Sequence, residues 1–182
     1  MAKKLKTYVI FVSRTYPAYH SKKGQPTNFV EKISCGCQCP GECDICDFKL
    51  GKKITTFRGN YPLWKKRIDE VLAGNAVIVL KYHTLGRYVK GNQQIEFARL
   101  DMDSGVGIEE VLFDNAKIYY AYLKTDHKKK KKYMPIRLIA KNDGLTYDDF
   151  SVWFEKGDYD LKKSFACIHF TSFRYGTLHG QK

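Results

Sequence analysis

The spacing of apolar residues changes along the chain, and each change predicts a different kind of element. Short apolar or alternating segments predict strands at 5–13, 76–82, 94–102, 106–113, 117–123 and 165–173. Apolar residues three or four positions apart predict helices after Asn28, Asn60 and Thr146, residue types that often cap helices. Many short strands, two or three helices and no regular β–α–β alternation favour an α+β mixed barrel. We therefore predict one domain over residues 1–182.

Two segments break this pattern of strands and helices. Residues 34–50 contain five cysteines and are predicted to be a cysteine-rich insertion near the N-terminus. Residues 124–134 include five consecutive lysines and are predicted to be an exposed loop. A flap that contacts phosphate is the alternative interpretation of the lysine-rich segment.

Apolar runs in this chain are short. None approaches the roughly 20 residues of a membrane-spanning helix. The run 8–12 follows a basic start, but it is too short for the core of a signal peptide and fits a first strand better. The sequence therefore predicts a cytoplasmic protein with no membrane segment.

The chain is strongly basic, with 32 lysines and arginines against 19 acidic residues and a net charge of +13. Without the five lysines 128–132 the charge would still be +8, so the excess is a property of the whole surface. Such a surface attracts phosphate-bearing partners by steering them and by releasing counterions. The charge favours a nucleotide or RNA as partner, and solubility alone is the alternative.

A lysine, a threonine and an arginine lie close together in the segment Lys53-Ile54-Thr55-Thr56-Phe57-Arg58. Residues two positions apart share one face of a strand, so Thr56 and Arg58 can point into one pocket. Lys53 can reach the same pocket if the chain turns near Gly51, before the strand begins. A neutral lysine can take the proton of a threonine hydroxyl, and burial near a cation lowers a lysine pKa in the direction needed. Arg58 or backbone N–H groups could hold the oxyanion formed when an amide is attacked. Nucleotide binding and a purely structural role are the alternatives.

A carboxylate that could serve this pocket lies in Asn142-Asp143-Gly144, shortly before the Thr146 cap. Asp143 could orient Lys53 or form a hydrogen bond to the leaving amine of an amide. The same tripeptide also suits an ordinary turn into the next helix. Spacing alone does not choose between these two interpretations.

The order of these motifs resembles an ASCH domain, a small PUA-like β-barrel with a cleft associated with RNA or nucleoside binding. The resemblance covers roughly residues 50–175. It rests on the segment 53–58, a helix containing Trp64, the segment 143–146 and a final strand at 168–171. Within this family the chain most resembles the small bacterial acetylcytidine amidohydrolases, which remove the acetyl group from the exocyclic amine of cytidine.

By position, the resemblance implies that Lys53 is the catalytic base, Thr56 the nucleophile and Asp143 the supporting carboxylate. Arg58 matches a basic residue of the same motif. Asp143 stands where those enzymes have glutamate, so its carboxylate is one methylene shorter. We therefore expect removal of an acyl group from a modified pyrimidine nucleoside or similar small amide, without a catalytic cofactor. A non-catalytic module that binds RNA or a modified nucleotide is the alternative.

Five of the six cysteines lie within twelve residues, at Cys35, Cys37, Cys39, Cys43 and Cys46. Disulfides are disfavoured in a cytoplasmic chain, and thiolates on a tight glycine-rich loop suit tetrahedral Zn²⁺. Cys43 and Cys46 have the spacing of a chelating pair. Cys35, Cys37 and Cys39 would share one face of an extended segment, and any two of them could complete a set of four ligands. The pattern predicts a structural zinc site, with an iron–sulfur cluster or reduced thiols as alternatives.

Three further residues complete the predicted substrate-binding set with Arg58. Asn142 precedes the carboxylate, Tyr82 lies near a strand end where a ring can stack on a base, and His20 lies in a basic loop. His20 could line the mouth of the cleft, and an exposed polar residue is the alternative.

Overall fold

Eight strands and four helices make up the described part of the chain. The computed structural model describes residues 5–38, 51–113, 120–124, 131–157 and 159–177. The strands are β1 (Lys6–Phe11), β2 (Thr55–Arg58), β3 (Ala76–His83), β4 (Gln94–Leu100), β5 (Gly107–Phe113), β6 (Tyr120–Lys124), β7 (Lys131–Pro135) and β8 (Phe165–His169). The helices are α1 (Phe29–Gln38), α2 (Tyr61–Leu72), α3 (Ile136–Asn142) and α4 (Tyr147–Glu155).

The described strands form two sheets. A three-stranded sheet has the order β1-β3-β4, in which β1 and β3 run parallel and β3 and β4 run antiparallel. The parallel pair is possible because α1, β2 and α2 lie between its strands in the chain and carry the backbone across. A five-stranded antiparallel sheet has the order β2-β8-β5-β6-β7. Strand β2, with both threonines of the 53–58 segment, therefore lies at the edge of this sheet, beside β8.

The predicted α+β class is confirmed, and the predicted strands and helices that fall within the described ranges are present. The pattern does not predict α3 or β7. Strand β7 begins at Lys131 and pairs with β6, so the end of the segment predicted as a lysine-rich loop is a strand. Residues 125–130 of that segment lie outside the described residues. None of the four helices given above is long and apolar enough to cross a lipid bilayer.

Helix α1 differs from its prediction at both ends. Asn28 has a φ of 55°, in the left-handed region, and it is the hydroxyl of Thr27 that accepts the N–H of Phe29, at 3.3 Å. The helix then continues to Gln38 and includes the first cysteines of the insertion. Because Cys35 and Cys37 are two positions apart on a helix, about 200° around its axis, they do not share the face that an extended segment would give them.

Aromatic rings fill the contact between the five-stranded sheet and α4. The Phe57 ring of β2 packs edge-on against Phe150 and Phe154, with ring centroids 5.8 and 6.0 Å apart. Side chains alternate along a strand, so Thr56 and Arg58 face away from α4. Burial of Phe57 therefore fixes the direction in which the polar residues of β2 point.

Candidate functional site

Lys53 and Asp143 are in direct contact although 90 positions separate them in the chain. Lys53 lies just before β2, where its backbone N–H donates to the carbonyl oxygen of Lys32 in α1, at 3.0 Å. The N–H of Ile54 donates to the carbonyl oxygen of Asn142 at 2.8 Å, and an antiparallel bridge joins Lys53 to Asp143. These backbone contacts fix the two side chains next to each other where α1, β2 and α3 meet.

The Lys53 ammonium group has a partner for each of its three N–H bonds. Its Nζ lies 2.6 Å from Oδ1 of Asp143 and 2.7 Å from the backbone carbonyl oxygen of the same residue. The centre of the Phe29 ring lies 4.4 Å from Nζ on a third side. Because an ammonium group has three donors and no acceptor, this cation is fully partnered. The pair stabilises the junction of three elements whatever further chemistry it performs.

Burial changes the proton affinity of both partners. Lys53 is 3% exposed and Asp143 is 5% exposed. Loss of solvation lowers the pKa of Lys53 and raises the pKa of Asp143, although the opposite charge of the partner acts against each change. Both changes bring the pKa values of the two groups closer together, as burial does for an ion pair. A neutral amine beside a carboxylic acid is the form that a lysine base requires.

Gly144 allows this close approach. Its φ of +77° is in the left-handed region, and a Cβ at this position would lie 3.0 Å from Cβ of Lys53 and 3.3 Å from Cδ of Lys32. The segment Asn142-Asp143-Gly144 is therefore a turn into α4, as one interpretation predicts, and also supplies the partner of Lys53.

Thr56 lies in the middle of β2, opposite Ile168 of β8, and is 8% exposed. In the part of the chain that the structure describes, its hydroxyl makes no hydrogen bond to Lys53 or Asp143. The structure thus brings two of the three predicted catalytic residues into contact. The third lies on the adjoining strand, on the face that it shares with Arg58.

Arg58 lines a cavity of about 740 Å³ together with Arg14 and Arg87, and we call it the arginine cavity. One Arg58 nitrogen donates to the carbonyl oxygen of Phe11 at 2.7 Å, which orients the planar guanidinium. No aspartate or glutamate is among the described residues that line the cavity. Sequence reasoning misses Arg14 and Arg87 because both lie outside the predicted motif, on segments that approach Arg58 only in the folded chain.

Aromatic rings lie at the arginine cavity. The rings of Phe11 and His83 stack with centroids 4.6 Å apart and planes 11° apart, and the side-chain amide of Asn92 lies 2.6 Å from Nδ1 of His83. The Arg14 guanidinium lies 5.2 Å from the centre of the Tyr82 ring. Planar rings beside guanidinium groups suit a ligand that contains a base and a phosphate. Tyr82 is thus close to the cavity, and the Phe11–His83 pair is an aromatic feature that sequence reasoning misses.

The side chains of the other two predicted binding residues form contacts within the fold. His20 is 3% exposed, with Nε2 3.2 Å from the carbonyl oxygen of Asp149 and Nδ1 accepting the N–H of Lys22 at 3.1 Å. The side chain of Asn142 donates to the hydroxyl of Tyr175 at 3.1 Å. The interpretation of His20 as an exposed polar residue is therefore wrong, since the ring is enclosed beneath its loop.

The structure describes only part of the cysteine cluster. The Cys37 thiol lies 4.0 Å from a backbone carbonyl oxygen, and burial raises its pKa to about 11. Cys35 is half-buried and disulfide-bonded. Cys39, Cys43 and Cys46 lie outside the described residues, and within the described ranges no group of three metal-ligating side chains occurs. The zinc site stays a prediction.

A second buried polar cluster lies on β8 and β5. Nε2 of His169 is 2.8 Å from Oε2 of Glu109, and the thiol of Cys167 is 3.6 Å from the same nitrogen. Burial lowers the pKa of His169, although Glu109 acts in the opposite direction. Cys167 is completely buried and its pKa is raised well above the usual value, so this cysteine is an inert core thiol.

We expect stability to fall as the pH drops from about 7.5 to about 5.5, because unfolded His169 regains its ordinary pKa of about 6.5 and binds a proton that the folded protein resists. The stabilising contribution of His169 is fully present at pH values above the pKa of the unfolded protein. It is lost as the pH falls toward the lower pKa that His169 has in the folded protein. Urea unfolding at the two pH values measures it. A His169→Gln variant should have a smaller pH dependence, and an unchanged pH dependence would contradict the assignment.

No protein-family model, curated protein or solved structure matches this chain. The site itself therefore provides the grounds for a function. It has two parts, the buried Lys53–Asp143 pair and the open arginine cavity, which are joined by β2.

Proposed function

We propose that the chain binds the phosphate groups of a nucleotide or of RNA in the arginine cavity, on an ASCH-type, PUA-like fold. The observation that carries this proposal is the approach of Arg14, Arg58 and Arg87 to one open cavity that has no carboxylate among its described lining residues. A guanidinium is always charged and presents its N–H donors as a planar fork that matches phosphate oxygens. The net charge of +13 adds long-range attraction for the same ligands.

A nucleotide suits this cavity better than a simple anion does. The stacked Phe11 and His83 rings lie among the lining residues, beside the arginines. Stacking on an aromatic face contributes about 1–3 kcal/mol per base and tolerates any base. The cavity thus offers groups for both halves of a nucleotide.

Titration with a nucleoside and with its 5′-phosphate tests this proposal directly. Tyrosine and tryptophan fluorescence, or calorimetry, gives the two affinities at low salt. The 5′-phosphate should bind at least about tenfold more tightly, since the guanidinium groups act on the phosphate. Equal affinity for the two compounds would contradict a phosphate site.

A second candidate function is the removal of an acyl group from a modified pyrimidine nucleoside or a similar small amide. The contact between Lys53 and Asp143 favours it, because burial lowers the lysine pKa and raises the aspartate pKa. Transfer of a proton to Asp143 would leave Lys53 neutral, able to accept the hydroxyl proton of Thr56.

The proposed reaction then has two balanced steps. The Thr56 oxygen forms a bond to the amide carbon, the carbon–nitrogen bond breaks, and the proton held by Lys53 passes to the leaving amine. Water then attacks the acyl-threonine ester, releases the carboxylic acid and restores the Thr56 hydroxyl. Arg58, on the same face of β2, would stabilise the oxyanion of both steps.

A Thr56→Val variant should lose acetylcytidine hydrolysis by about a thousandfold or more, because the nucleophile is removed while the side-chain shape is kept. The ultraviolet change of acetylcytidine reports the reaction. Thr55→Val is the matched control, since Thr55 lies on the opposite face of β2 and should leave the rate unchanged. Equal rates for wild type and Thr56→Val, or no hydrolysis by wild type, would rule out this second function.

The zinc site belongs to the proposal as a structural element only. Four of the five clustered cysteines would hold the ion once the disulfide of Cys35 is reduced, and they would clamp the segment that leads to Lys53. Metal analysis of protein purified without chelators measures its presence.

A further inference from the structure

A second basic cavity, of about 370 Å³, lies beside the arginine cavity. Among the described residues that line it are four lysines and a single carboxylate. They are Lys22, Lys32, Lys52, Lys141 and Asp149. We call this cavity the lysine pocket. None of the proposed catalytic residues and none of the three arginines of the arginine cavity lines it, and its lining includes Gly144, which lies against the buried Lys53.

The carboxylate of Asp149, which lines the lysine pocket, is already engaged. Oδ2 of Asp149 accepts a hydrogen bond from Nζ of Lys22 at 2.7 Å and another from the Tyr16 hydroxyl at 3.3 Å. Burial raises the pKa of Asp149, but the hydrogen bond from Lys22 and other contacts outweigh it and leave the pKa lowered. Because Lys22 and Asp149 offset each other, Lys32 and Lys141 leave the described lining of the pocket positively charged.

Lys32 is half-buried at the pocket. Its Nζ donates to the carbonyl oxygen of Gly144 at 2.7 Å, and burial lowers its pKa. A partly desolvated ammonium held by a neutral carbonyl gains more from an added anion than a solvated lysine does. The pocket therefore contains a cation whose charge an anionic ligand would compensate.

One narrow ribbon of backbone separates the lysine pocket from the arginine cavity. Residues 14–16 and 24–27 pair through the bonds Tyr16 N–H to the Gln25 carbonyl and Thr27 N–H to the Arg14 carbonyl, at 3.0 and 2.9 Å. Thr15 and Gly24 line the arginine cavity, whereas Tyr16, Gln25 and Thr27 line the lysine pocket. Pro26 lines both.

We infer that the lysine pocket binds a second phosphate of the same ligand, so that the ligand is a single-stranded polynucleotide that crosses the Pro26 ribbon. This inference rests on the proposed function of the arginine cavity and extends it. Phosphates recur at every nucleotide of a strand, and a basic track of adjacent sites is how single strands are held without reading their sequence. A nucleoside 5′-monophosphate has no second phosphate group to place beyond the ribbon.

The test compares ligands of two lengths on variants of two cavities. The probes are a nucleoside 5′-monophosphate and a fluorescent single-stranded RNA of about eight nucleotides. A Lys52→Gln/Lys141→Gln variant should bind the RNA about tenfold more weakly at moderate salt and bind the monophosphate as wild type does. Lys66→Gln, an exposed lysine of α2 away from both cavities, is the matched control and should change neither affinity.

A single Lys141→Glu variant separates a loss of binding from a loss of folding. Lys141 is exposed, so the change reverses a charge at the pocket without disturbing the core. It should weaken RNA binding and keep the melting temperature close to wild type. Unchanged RNA affinity in both lysine variants would overturn the inference, as would an equal loss of monophosphate affinity. If Arg58→Gln leaves both ligands unaffected while the lysine variants lose RNA, the lysine pocket stands and the proposed arginine site fails.

Discussion

Replacing Arg58 by glutamine should weaken the binding of a nucleoside 5′-monophosphate by about ten- to a hundredfold. A hydrogen bond to a charged group contributes about 1.5–3 kcal/mol, and glutamine removes the charge while it keeps a polar side chain. Arg58→Lys should be intermediate, because the charge remains and the planar fork is lost. Calorimetric titration of the three proteins gives the affinities.

Two further variants make this prediction specific. Arg14→Gln should also weaken binding of the monophosphate, since Arg14 lines the same cavity. Arg14 is exposed, so its replacement leaves the core of the fold intact. Arg99→Gln is the matched control, because Arg99 is exposed on β4 and pairs with Glu96. A loss of affinity in Arg99→Gln equal to that in Arg58→Gln would show that general surface charge, and not the arginine cavity, holds the phosphate.

Replacing Lys53 by methionine should lower the free energy of unfolding by about 3–5 kcal/mol, because the change leaves the Asp143 carboxylate buried without its cation. Most of this loss should be recovered in Lys53→Met/Asp143→Leu, where both charged groups are replaced by apolar side chains of similar size. Denaturant unfolding of the single and double variants measures the difference. Thermal melting serves if the single variant is too unstable for a full denaturant curve.

The pair Lys65 and Asp69 on α2 is the matched control for this experiment. Its Nζ–Oδ1 distance of 2.7 Å is close to that of the buried pair, but both side chains are about half exposed. Exposed pairs four positions apart contribute only about 0.3–0.5 kcal/mol, so Lys65→Met should change stability little. Similar losses for Lys53→Met and Lys65→Met would contradict a buried ion pair that joins three elements.

Much of the fold could be predicted because its signals are local. Helix α2 has its cap at Asn60, whose side chain accepts the N–H of Leu63, and its stop at Gly74, which has a φ of +67°. Strands β3 and β8 are short apolar runs, as buried strands require. Strand β7 is not predicted, because its residues Lys131–Pro135 begin within a run of lysines without apolar alternation and form a strand through their pairing with β6.

The site could be predicted only in part, for a physical reason. The contact between Lys53 and Asp143 is predicted only through the proposed resemblance to an ASCH domain, because spacing alone does not predict a contact between residues 90 positions apart. Sequence reasoning finds Arg58 because it lies in the motif. It misses Arg14 and Arg87, which reach the cavity from the end of β1 and from the loop after β3. Long-range approach of this kind depends on how the sheets pack, and no local pattern encodes it.

The claim that the arginine cavity holds phosphate is tested most directly by the salt dependence of single-stranded RNA affinity in wild type and in an Arg14→Gln/Arg58→Gln variant. Each lost phosphate contact reduces the slope of log affinity against log salt by about 0.7, so the double variant should have a slope smaller by about 1.4 and a lower affinity at every salt concentration. Parallel lines of equal slope and affinity for the two proteins would contradict the account.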